Sequence, residues 1–193
     1  MKRPEGVEAN YPLARLTTIR VGGPADYFAR PESEWAIAEV LAWAGSEGLA
    51  VAVVGSGSNL LVSDQGFRGL VLKLAGDPPR IEPRGLCVLC GGGARLPSAA
   101  ARAAGWGLEG LEFGVNIPGT VGGAVRMNAN AYGGELGRVL EWVTVCTAEG
   151  SEQRRPEQLG FRYRASNLGE GEVVARASFA LAEADPAEVK AAM

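Results

Sequence analysis

The sequence predicts an α+β fold with two subdomains. Segments with helical periodicity and short apolar segments typical of buried strands follow one another in mixed order along the chain. A length of 193 residues is enough for one large domain or two small ones with a hydrophobic core. Glycine is the compositional outlier, since 28 glycines are about twice the average usage.

The first part of the chain predicts one helix followed by two buried strands. Ser33 is a helix N-cap, and apolar residues recur at helical spacing from there to about Ala44. The segments 49–54 and 70–74 are apolar runs of strand length. The Asp-Pro-Pro segment 77–79 interrupts this pattern, so we place a subdomain boundary there.

The second part predicts three more strands and another helix. Strands are expected at 86–90, 139–147 and 173–181. Pro97 begins a short alanine-rich helix after the first of these strands. The predicted subdomains are therefore 1–76 and 77–183.

The last ten residues predict the beginning of another element. Asp185 followed by Pro186 is a strong helix start, but only eight residues follow the cap. A helix of this length is marginal in isolation. We therefore expect 184–193 to be the start of a C-terminal region, and the natural protein to continue beyond Met193.

Composition excludes several classes of function. The net charge is −3 and there is no basic cluster, so a nucleic-acid partner is not expected. No apolar segment has the length of a membrane span or a signal peptide. We expect a cytoplasmic monomer that acts on a small molecule. The absence of histidine removes imidazole as base, metal ligand or covalent flavin tether.

Cys87 and Cys90 form a C-x-x-C pair inside a predicted strand. Positions three apart in a strand point to opposite faces, so the two thiols would not converge. We expect buried structural cysteines and no metal site, with redox or metal use as the alternative.

A first candidate ligand loop follows the strand predicted at 49–54. It contains Val54, Gly55, Ser56, Gly57, Ser58, Asn59 and Leu60. Successive backbone N–H groups in such a loop can form a nest for a phosphate or pyrophosphate. Leu60 stands where a Rossmann fingerprint needs a third glycine, and no helix is expected next, so that motif is disfavoured. An ordinary Gly/Ser turn remains the alternative.

A second candidate loop is the glycine-rich run 116–125. Gly119, Gly122 and Gly123 beside Thr120 could lay bare backbone against a flat ligand or its phosphates. A tight buried turn at Pro118-Gly119 is the alternative. Nearby Tyr132 is either a loop aromatic that covers a site or a packing residue.

The third candidate is the segment 161–166, which carries a possible fixed cation. If the segment is extended, Arg162, Arg164 and Ser166 share one face. An arginine anchored among aromatics suits a carboxylate ligand. The alternative is two surface arginines on an edge strand.

Taken together, four segments resemble the UDP-N-acetylenolpyruvoylglucosamine reductase (MurB) family. They are Thr-Ile-Arg-Val-Gly-Gly-Pro-Ala at 18–25, Gly-Ser-Gly-Ser-Asn-Leu-Leu-Val at 55–62 with Asp64, the central run 111–134, and Tyr-Arg-Ala-Ser at 163–166. The resemblance extends to about residue 181, and the four motifs are specific only jointly.

The resemblance implies the FAD-binding fold of the vanillyl-alcohol oxidase/PCMH type, in which two α+β lobes grip FAD. The FAD would be non-covalent and reduced by NADPH. Its hydride would then pass to the enolpyruvyl group of a UDP-sugar, making UDP-N-acetylmuramate for peptidoglycan. The implied cofactor-binding residues are Val54, Gly55, Ser56, Gly57, Ser58, Asn59, Leu60, Asn116, Ile117, Pro118, Gly119, Thr120, Gly122, Gly123, Met127, Asn128 and Ala129.

The resemblance also implies that Tyr132 and Arg164 bind substrate. Arg164 would be catalytic, because its guanidinium stabilises the negative charge that develops on the substrate carboxylate. Two other readings stay open. One is an oxidase or dehydrogenase of the same superfold with another substrate, and the other is a nucleotide- or flavin-binding module without catalysis.

The chain departs from the family pattern in two ways. Asn116 and Asn130 stand where the family commonly has glycine, and both are plausible substitutions because asparagine is the next most tolerant residue for positive φ. The family's C-terminal serine proton donor and late catalytic glutamate have no counterpart among these 193 residues. We therefore expect FAD affinity but little complete turnover from the chain as it stands.

Overall fold

The protein folds into two lobes, each built on its own β-sheet, in a computed structural model that describes residues 1–75 and 80–193. The predicted boundary at 77–79 lies outside the described residues.

Thirteen strands and five α-helices make up the described part of the chain. The strands are β1 (Glu8–Pro12), β2 (Pro24–Ala29), β3 (Val51–Val53), β4 (Phe67–Leu72), β5 (Ile81–Arg84), β6 (Cys87–Gly91), β7 (Leu108–Glu109), β8 (Asn130–Ala131), β9 (Gly134–Glu135), β10 (Leu140–Thr147), β11 (Gly150–Arg154), β12 (Val173–Ala180) and β13 (Ala182–Glu183). The helices are α1 (Glu34–Ser46), α2 (Leu96–Gly105), α3 (Val121–Arg126), α4 (Leu136–Val139) and α5 (Pro186–Ala191). Short 3-10 helices occur at Leu13–Arg15, Glu112–Asn116 and Pro156–Leu159.

The first lobe is a four-stranded sheet in the order β1-β2-β4-β3. β1 is antiparallel to β2, whereas β2, β4 and β3 run parallel. Helix α1 covers this sheet and starts as predicted, because the Ser33 hydroxyl accepts a hydrogen bond from the Ala36 N–H at 3.1 Å. Its predicted apolar face is buried. The strands predicted at 49–54 and 70–74 are confirmed as β3 and β4 with shifted ends.

The second lobe is a five-stranded antiparallel sheet in the order β11-β10-β12-β6-β5. Its three predicted strands and the helix at Pro97 are confirmed. Cys90 is fully buried in the core, Cys87 is half-buried, and burial raises the pKa of the Cys90 thiol to about 12. Within residues 1–75 and 80–193, no group of three or more His, Cys, Asp or Glu residues could hold a metal ion.

The two lobes share apolar contacts through α1. Ile37 and Trp43 of this helix belong to the same buried cluster as Cys146, Val173 and Ala175 of the second sheet. An ion pair between Glu34 and Arg176, with an N–O distance of 2.7 Å, adds a polar contact at the same junction. This packing fixes the first sheet against the second and leaves a cleft beside it.

The C-terminal helix α5 packs on the second lobe. The Asp185 carboxylate accepts a hydrogen bond from the Ala187 N–H at 2.7 Å, which confirms the predicted cap. Val189 is buried, and α5 lies against α2 and β7. The packing of α5 places these residues against the second lobe, and the expectation that 184–193 begins a C-terminal region stays a prediction. No helix in the described ranges is long and apolar enough to cross a membrane.

Candidate functional site

A cleft of about 400 Å³ lies between the two lobes. One wall consists of β3 with Val54 and Gly55, and also includes Lys73. The opposite wall consists of Gly92, Gly93, the start of α3 and the segment 168–174. The two walls come from distant parts of the sequence, so the cleft exists only in the folded chain.

The loop after β3 is held in place by the N-terminal segment of the first lobe. Gly57 has a φ of +70°, and a Cβ there would lie 1.8 Å from the Leu16 carbonyl oxygen. The Thr18 N–H donates to the Gly57 carbonyl at 3.2 Å. Only glycine fits this close approach, and no helix follows the loop, which agrees with the exclusion of a Rossmann motif.

Four successive backbone N–H groups of this loop, those of residues 55–58, have no partner in the described part of the chain, and of their residues Gly55 lines the cleft. The hydroxyl oxygens of Ser56 and Ser58 lie 3.0 Å apart in the same loop. Consecutive free N–H groups are the feature that makes backbone nests bind anions. The geometry therefore fits the predicted pyrophosphate loop.

The two candidate loops meet at the cleft. The Ser58 hydroxyl donates to the Pro118 carbonyl at 2.5 Å. A Cβ on Gly55 would lie 2.5 Å from Thr120 Oγ1, so the loops approach at a distance that only a glycine permits. The chain thus brings together two glycine-rich segments about sixty residues apart, as the interpretation of a shared ligand requires.

The glycines at the start of α3 have different neighbours. The Gly122 N–H donates to the Gly92 carbonyl at 2.8 Å, and a Cβ on Gly122 would lie 3.1 Å from that oxygen. A Cβ on Gly123 would meet only Thr120 Oγ1, at 3.4 Å. Close packing within the protein therefore already explains Gly122, whereas Gly123 opens into the cleft.

Neither Asn116 nor Asn130 has positive φ, so tolerance of that conformation does not explain asparagine at these two positions. Asn116 ends a 3-10 helix and Asn130 lies in β8, where φ is negative. Positive φ occurs instead at Asn128 (+38°), Tyr132 (+50°) and Arg164 (+52°), three residues predicted to belong to the site. Such conformations cost energy and concentrate at functional positions.

The segment 161–166 is not extended, so the condition under which Arg162, Arg164 and Ser166 would share one face is not met. Arg162 and Ala165 pair across a tight turn, and their N–H groups donate to each other's carbonyl at 3.0 and 3.2 Å. Arg164 takes its positive φ inside this turn and is exposed. The central carbon of its guanidinium lies 5.5 Å from the centre of the Tyr163 ring.

A second cavity of about 320 Å³ lies beside this turn. It is lined by residues 130–135 and by Tyr163. Tyr132 and Tyr163 are largely exposed at its edge, with 85% and 77% of their surface accessible. Tyr132 therefore lines this cavity, and Arg164 is next in sequence to Tyr163, which also lines it.

The predicted cofactor residues fall into two groups. Val54, Gly55, Thr120, Gly122 and Gly123 line the cleft. The remaining predicted residues lie beside or behind it: Ser56, Gly57, Ser58, Asn59, Leu60, Asn116, Ile117, Pro118, Gly119, Met127, Asn128 and Ala129. Of this second group, Leu60 and Ile117 pack on the cores of their lobes, and Asn128 is fully buried.

Part of the cleft wall was not predicted. Arg126, Lys73 and the segment 168–174 line the cleft, and so do Gly92 and Gly93. A glycine triplet directly after a predicted strand was the available signal for 91–93. Residues 169–172 of this wall alternate glycine with glutamate, a pattern that does not distinguish a ligand-binding wall from a surface loop.

An ion pair shapes this unpredicted wall. Both carboxylate oxygens of Glu172 accept hydrogen bonds from the Arg154 guanidinium, one of them from Nη1 at 3.1 Å. The Gly169 N–H donates to Glu172 at 2.7 Å, and Arg126 donates to the Gly169 carbonyl at 3.2 Å. Chiefly through its hydrogen bonds, Arg154 holds the pKa of Glu172 below its usual range.

Comparison with curated proteins identifies relatives that share one name. The family model described as FAD binding domain matches residues 25–154. UDP-N-acetylenolpyruvoylglucosamine reductase 2 of Symbiobacterium thermophilum is 44% identical over 195 residues, which cover 100% of this chain and 63% of that protein. The reductase of Rubrobacter xylanophilus is 42% identical and matches 93% of this chain and 61% of its own length. The chain thus spans about three fifths of these relatives.

Solved structures agree with this result. The UDP-N-acetylenolpyruvylglucosamine reductase (MurB) from Thermus caldophilus has a TM-score of 0.85 at 37% identity, over 97% of this chain and 66% of that one. The 6-hydroxy-D-nicotine oxidase from Arthrobacter nicotinovorans has a TM-score of 0.63 at 21% identity, over 82% and 37%. The latter likeness concerns the fold alone. The resemblance and the predicted fold type are confirmed.

Glu172→Gln should destabilise the protein near neutral pH by about 1 kcal/mol, the upper end for a partly exposed ion pair. Because the pKa of Glu172 is lowered in the folded protein, the ion pair stabilises the fold fully only above the pKa of glutamate in the unfolded chain, about 4.3. That contribution disappears as the pH falls through the lower folded value. Urea unfolding over a pH series should show that the free energies of unfolding of Glu172→Gln and the unmutated protein converge in acid.

The matched control is Glu170→Gln, which alters an exposed carboxylate of the same wall. In the described ranges Glu170 forms no ion pair, so its replacement should change stability little at any pH. A Glu172→Gln difference that is absent near neutral pH, or unchanged in acid, would contradict the assignment.

Proposed function

The chain belongs to the FAD-binding domain family, and from this premise we propose that it forms the FAD-binding part of a UDP-N-acetylenolpyruvoylglucosamine reductase. The proposed reaction uses NADPH to reduce the enolpyruvyl group of a UDP-sugar to UDP-N-acetylmuramate, a peptidoglycan precursor. One observation carries this proposal: relatives with that name are 42–44% identical over at least 93% of the chain. Proteins with other activities share only the fold, at 14–22% identity.

The cleft between the lobes fits FAD chemically. A dinucleotide needs donors for its pyrophosphate, and the free N–H groups of 55–58 supply them. It also needs backbone that a flat ring can approach closely. Gly123 lines the cleft, and a Cβ there would meet only Thr120 Oγ1, at 3.4 Å. No histidine is available for a covalent tether. We therefore assign the cleft to non-covalent FAD, which when bound supplies a hydride obtained from NADPH.

The residues around the second cavity would bind the substrate. Arg164 presents planar donors that match a carboxylate in two-point geometry. A guanidinium fixed before the reaction stabilises negative charge as it develops there. Tyr132 and Tyr163 offer exposed rings at the same cavity, suited to packing against the nucleotide-sugar.

The proposal also covers the oligomeric state, the location and the partner of the protein. We propose a monomeric cytoplasmic enzyme whose partner is a small-molecule UDP-sugar. Its support is the small cavity described above, together with the net charge of −3, which offers no attraction for nucleic acid.

Gly123→Val should abolish the yellow colour of FAD-loaded protein, because the added side chain would occupy the cleft. In the ligand-free structure a Cβ at this position meets only the Thr120 hydroxyl, at 3.4 Å, so the fold should survive. Bound flavin would be measured by its visible absorbance after gel filtration with excess FAD.

Gly45→Val is the matched control for that variant. Gly45 lies in α1, and a Cβ there has nothing within 4 Å. This control should stay yellow. Full retention of flavin by folded Gly123→Val protein would refute the proposed contact.

Arg164→Ala, introduced into the natural protein, should keep FAD but lower kcat by a factor that corresponds to about 3 kcal/mol or more. Arg164→Lys should not restore activity, because a point charge cannot reproduce the planar fork. The assay follows NADPH oxidation that depends on UDP-N-acetylglucosamine enolpyruvate. Turnover near that of the unmutated protein would exclude the catalytic role.

A further inference from the structure

Asn128 is the most deeply buried polar side chain near either cavity. It lies two residues after the end of α3, is 0% exposed and has a φ of +38°. A buried amide is costly unless its donors and acceptor are satisfied. A left-handed backbone adds strain for a residue that is not glycine. The surrounding structure therefore has to compensate for both costs.

The Asn128 amide is fully bonded to two separate segments of the second lobe. Its Nδ2 donates to Glu135 Oε1 at 2.6 Å and to the Arg162 carbonyl at 3.2 Å. Its Oδ1 accepts from the Gly137 N–H at 3.0 Å. These bonds fix which amide atom is nitrogen, because a flipped amide would face two oxygens with an oxygen. One side chain thus joins the segments 130–137 and 161–166.

Those two segments carry the exposed aromatic residues of the second cavity. Tyr132 lies in the first segment and Tyr163 in the second, and both line the cavity. Tyr132 and Arg164 each have positive φ, at +50° and +52°. Two exposed, strained turns therefore depend on a shared internal support.

The same support connects the second cavity to the interlobe cleft. Asn128 follows α3, whose first residues Gly122 and Gly123 line the cleft. The Ser166 hydroxyl donates to the Arg126 carbonyl at the other end of α3, at 2.8 Å. This six-residue helix therefore touches the cleft at one end and the Arg164 turn at the other.

We propose that Asn128 is a positioning residue that holds the Tyr132 turn and the Tyr163–Arg164 turn at a fixed separation, so that the UDP-sugar cavity is preassembled beside the cofactor cleft. This inference rests on the proposed function. Asn128 is grouped with the cofactor ligands in the family resemblance, but its side chain is wholly engaged inside the protein. Replacing Asn128 should therefore weaken substrate binding and leave the affinity for FAD nearly unchanged.

Asn128→Asp is the variant that tests this role most sharply. The shape is kept and the Gly137 bond survives, but both donors are lost and a carboxylate faces Glu135. Adding Glu135→Gln reverses the donor and acceptor between the two residues and should rescue part of the loss. Arg138→Ala is the control, because this exposed residue forms an ion pair with the other oxygen of Glu135, at an N–O distance of 3.5 Å.

Two measurements on each protein separate positioning from general destabilisation. FAD affinity, measured by flavin fluorescence, should stay within about twofold in Asn128→Asp, while the affinity for UDP-N-acetylglucosamine enolpyruvate, measured by the change in flavin absorbance, should fall roughly tenfold to a hundredfold. Hydrogen exchange should accelerate in both 130–137 and 161–166. Exchange in 51–60 and 118–126 should not change.

The inference is overturned if FAD affinity falls in parallel, if exchange rises throughout the chain, or if only one of the two turns loosens. Failure of the proposed function has a different signature: the unmutated protein binds FAD, but its spectrum does not respond to the UDP-sugar. Hydrogen exchange alone then decides the positioning role, since coupled loosening of the two turns supports it and independent behaviour refutes it.

Discussion

Close approach of bare backbone along the junction of the two lobes is the constraint on which the rest of the structure depends. A Cβ at Gly57 would overlap the Leu16 carbonyl, one at Gly92 would overlap the Val174 carbonyl, and one at Gly55 would overlap the Thr120 hydroxyl. Glycine at these positions lets segments from distant parts of the chain meet without side chains between them. The result is a cleft lined in part by glycine backbone, and free peptide N–H groups are what an anionic dinucleotide requires.

Two parts of the second lobe hold the cleft and the Arg164 turn in place. Helix α3 has only six residues, yet it touches the cleft at its start and supports the Arg164 turn at its end. The Glu172–Arg154 ion pair holds the segment 168–174, another part of the same cleft wall. The cofactor cleft and the proposed substrate cavity are therefore rigidly linked, as hydride transfer between two bound molecules demands.

Local sequence signals predicted the regular elements well and the site's geometry only in part. Helix α1 was predictable because Ser33 and the apolar spacing after it agree. The buried strand β4 was predictable from the apolar run 70–72, and β12 from apolar residues that alternate with more polar or smaller ones. Strand β1 was missed because four of its five residues are exposed. The turn at 162–165 was not predicted, because alternating aromatic and arginine residues are as typical of a strand as of this turn. The strained residues Asn128 and Arg164 owe their φ to tertiary hydrogen bonds and packing, which no local pattern encodes.

Amide hydrogen exchange at residues 55–58, with and without FAD, tests the central claim most directly. In the ligand-free protein these four N–H groups have no acceptor in the described ranges, so exchange should be fast. Bound FAD should protect them strongly, together with the start of α3. Protection by FAD at other segments, with unchanged exchange at 55–58, would contradict the assignment of the interlobe cleft as the FAD site.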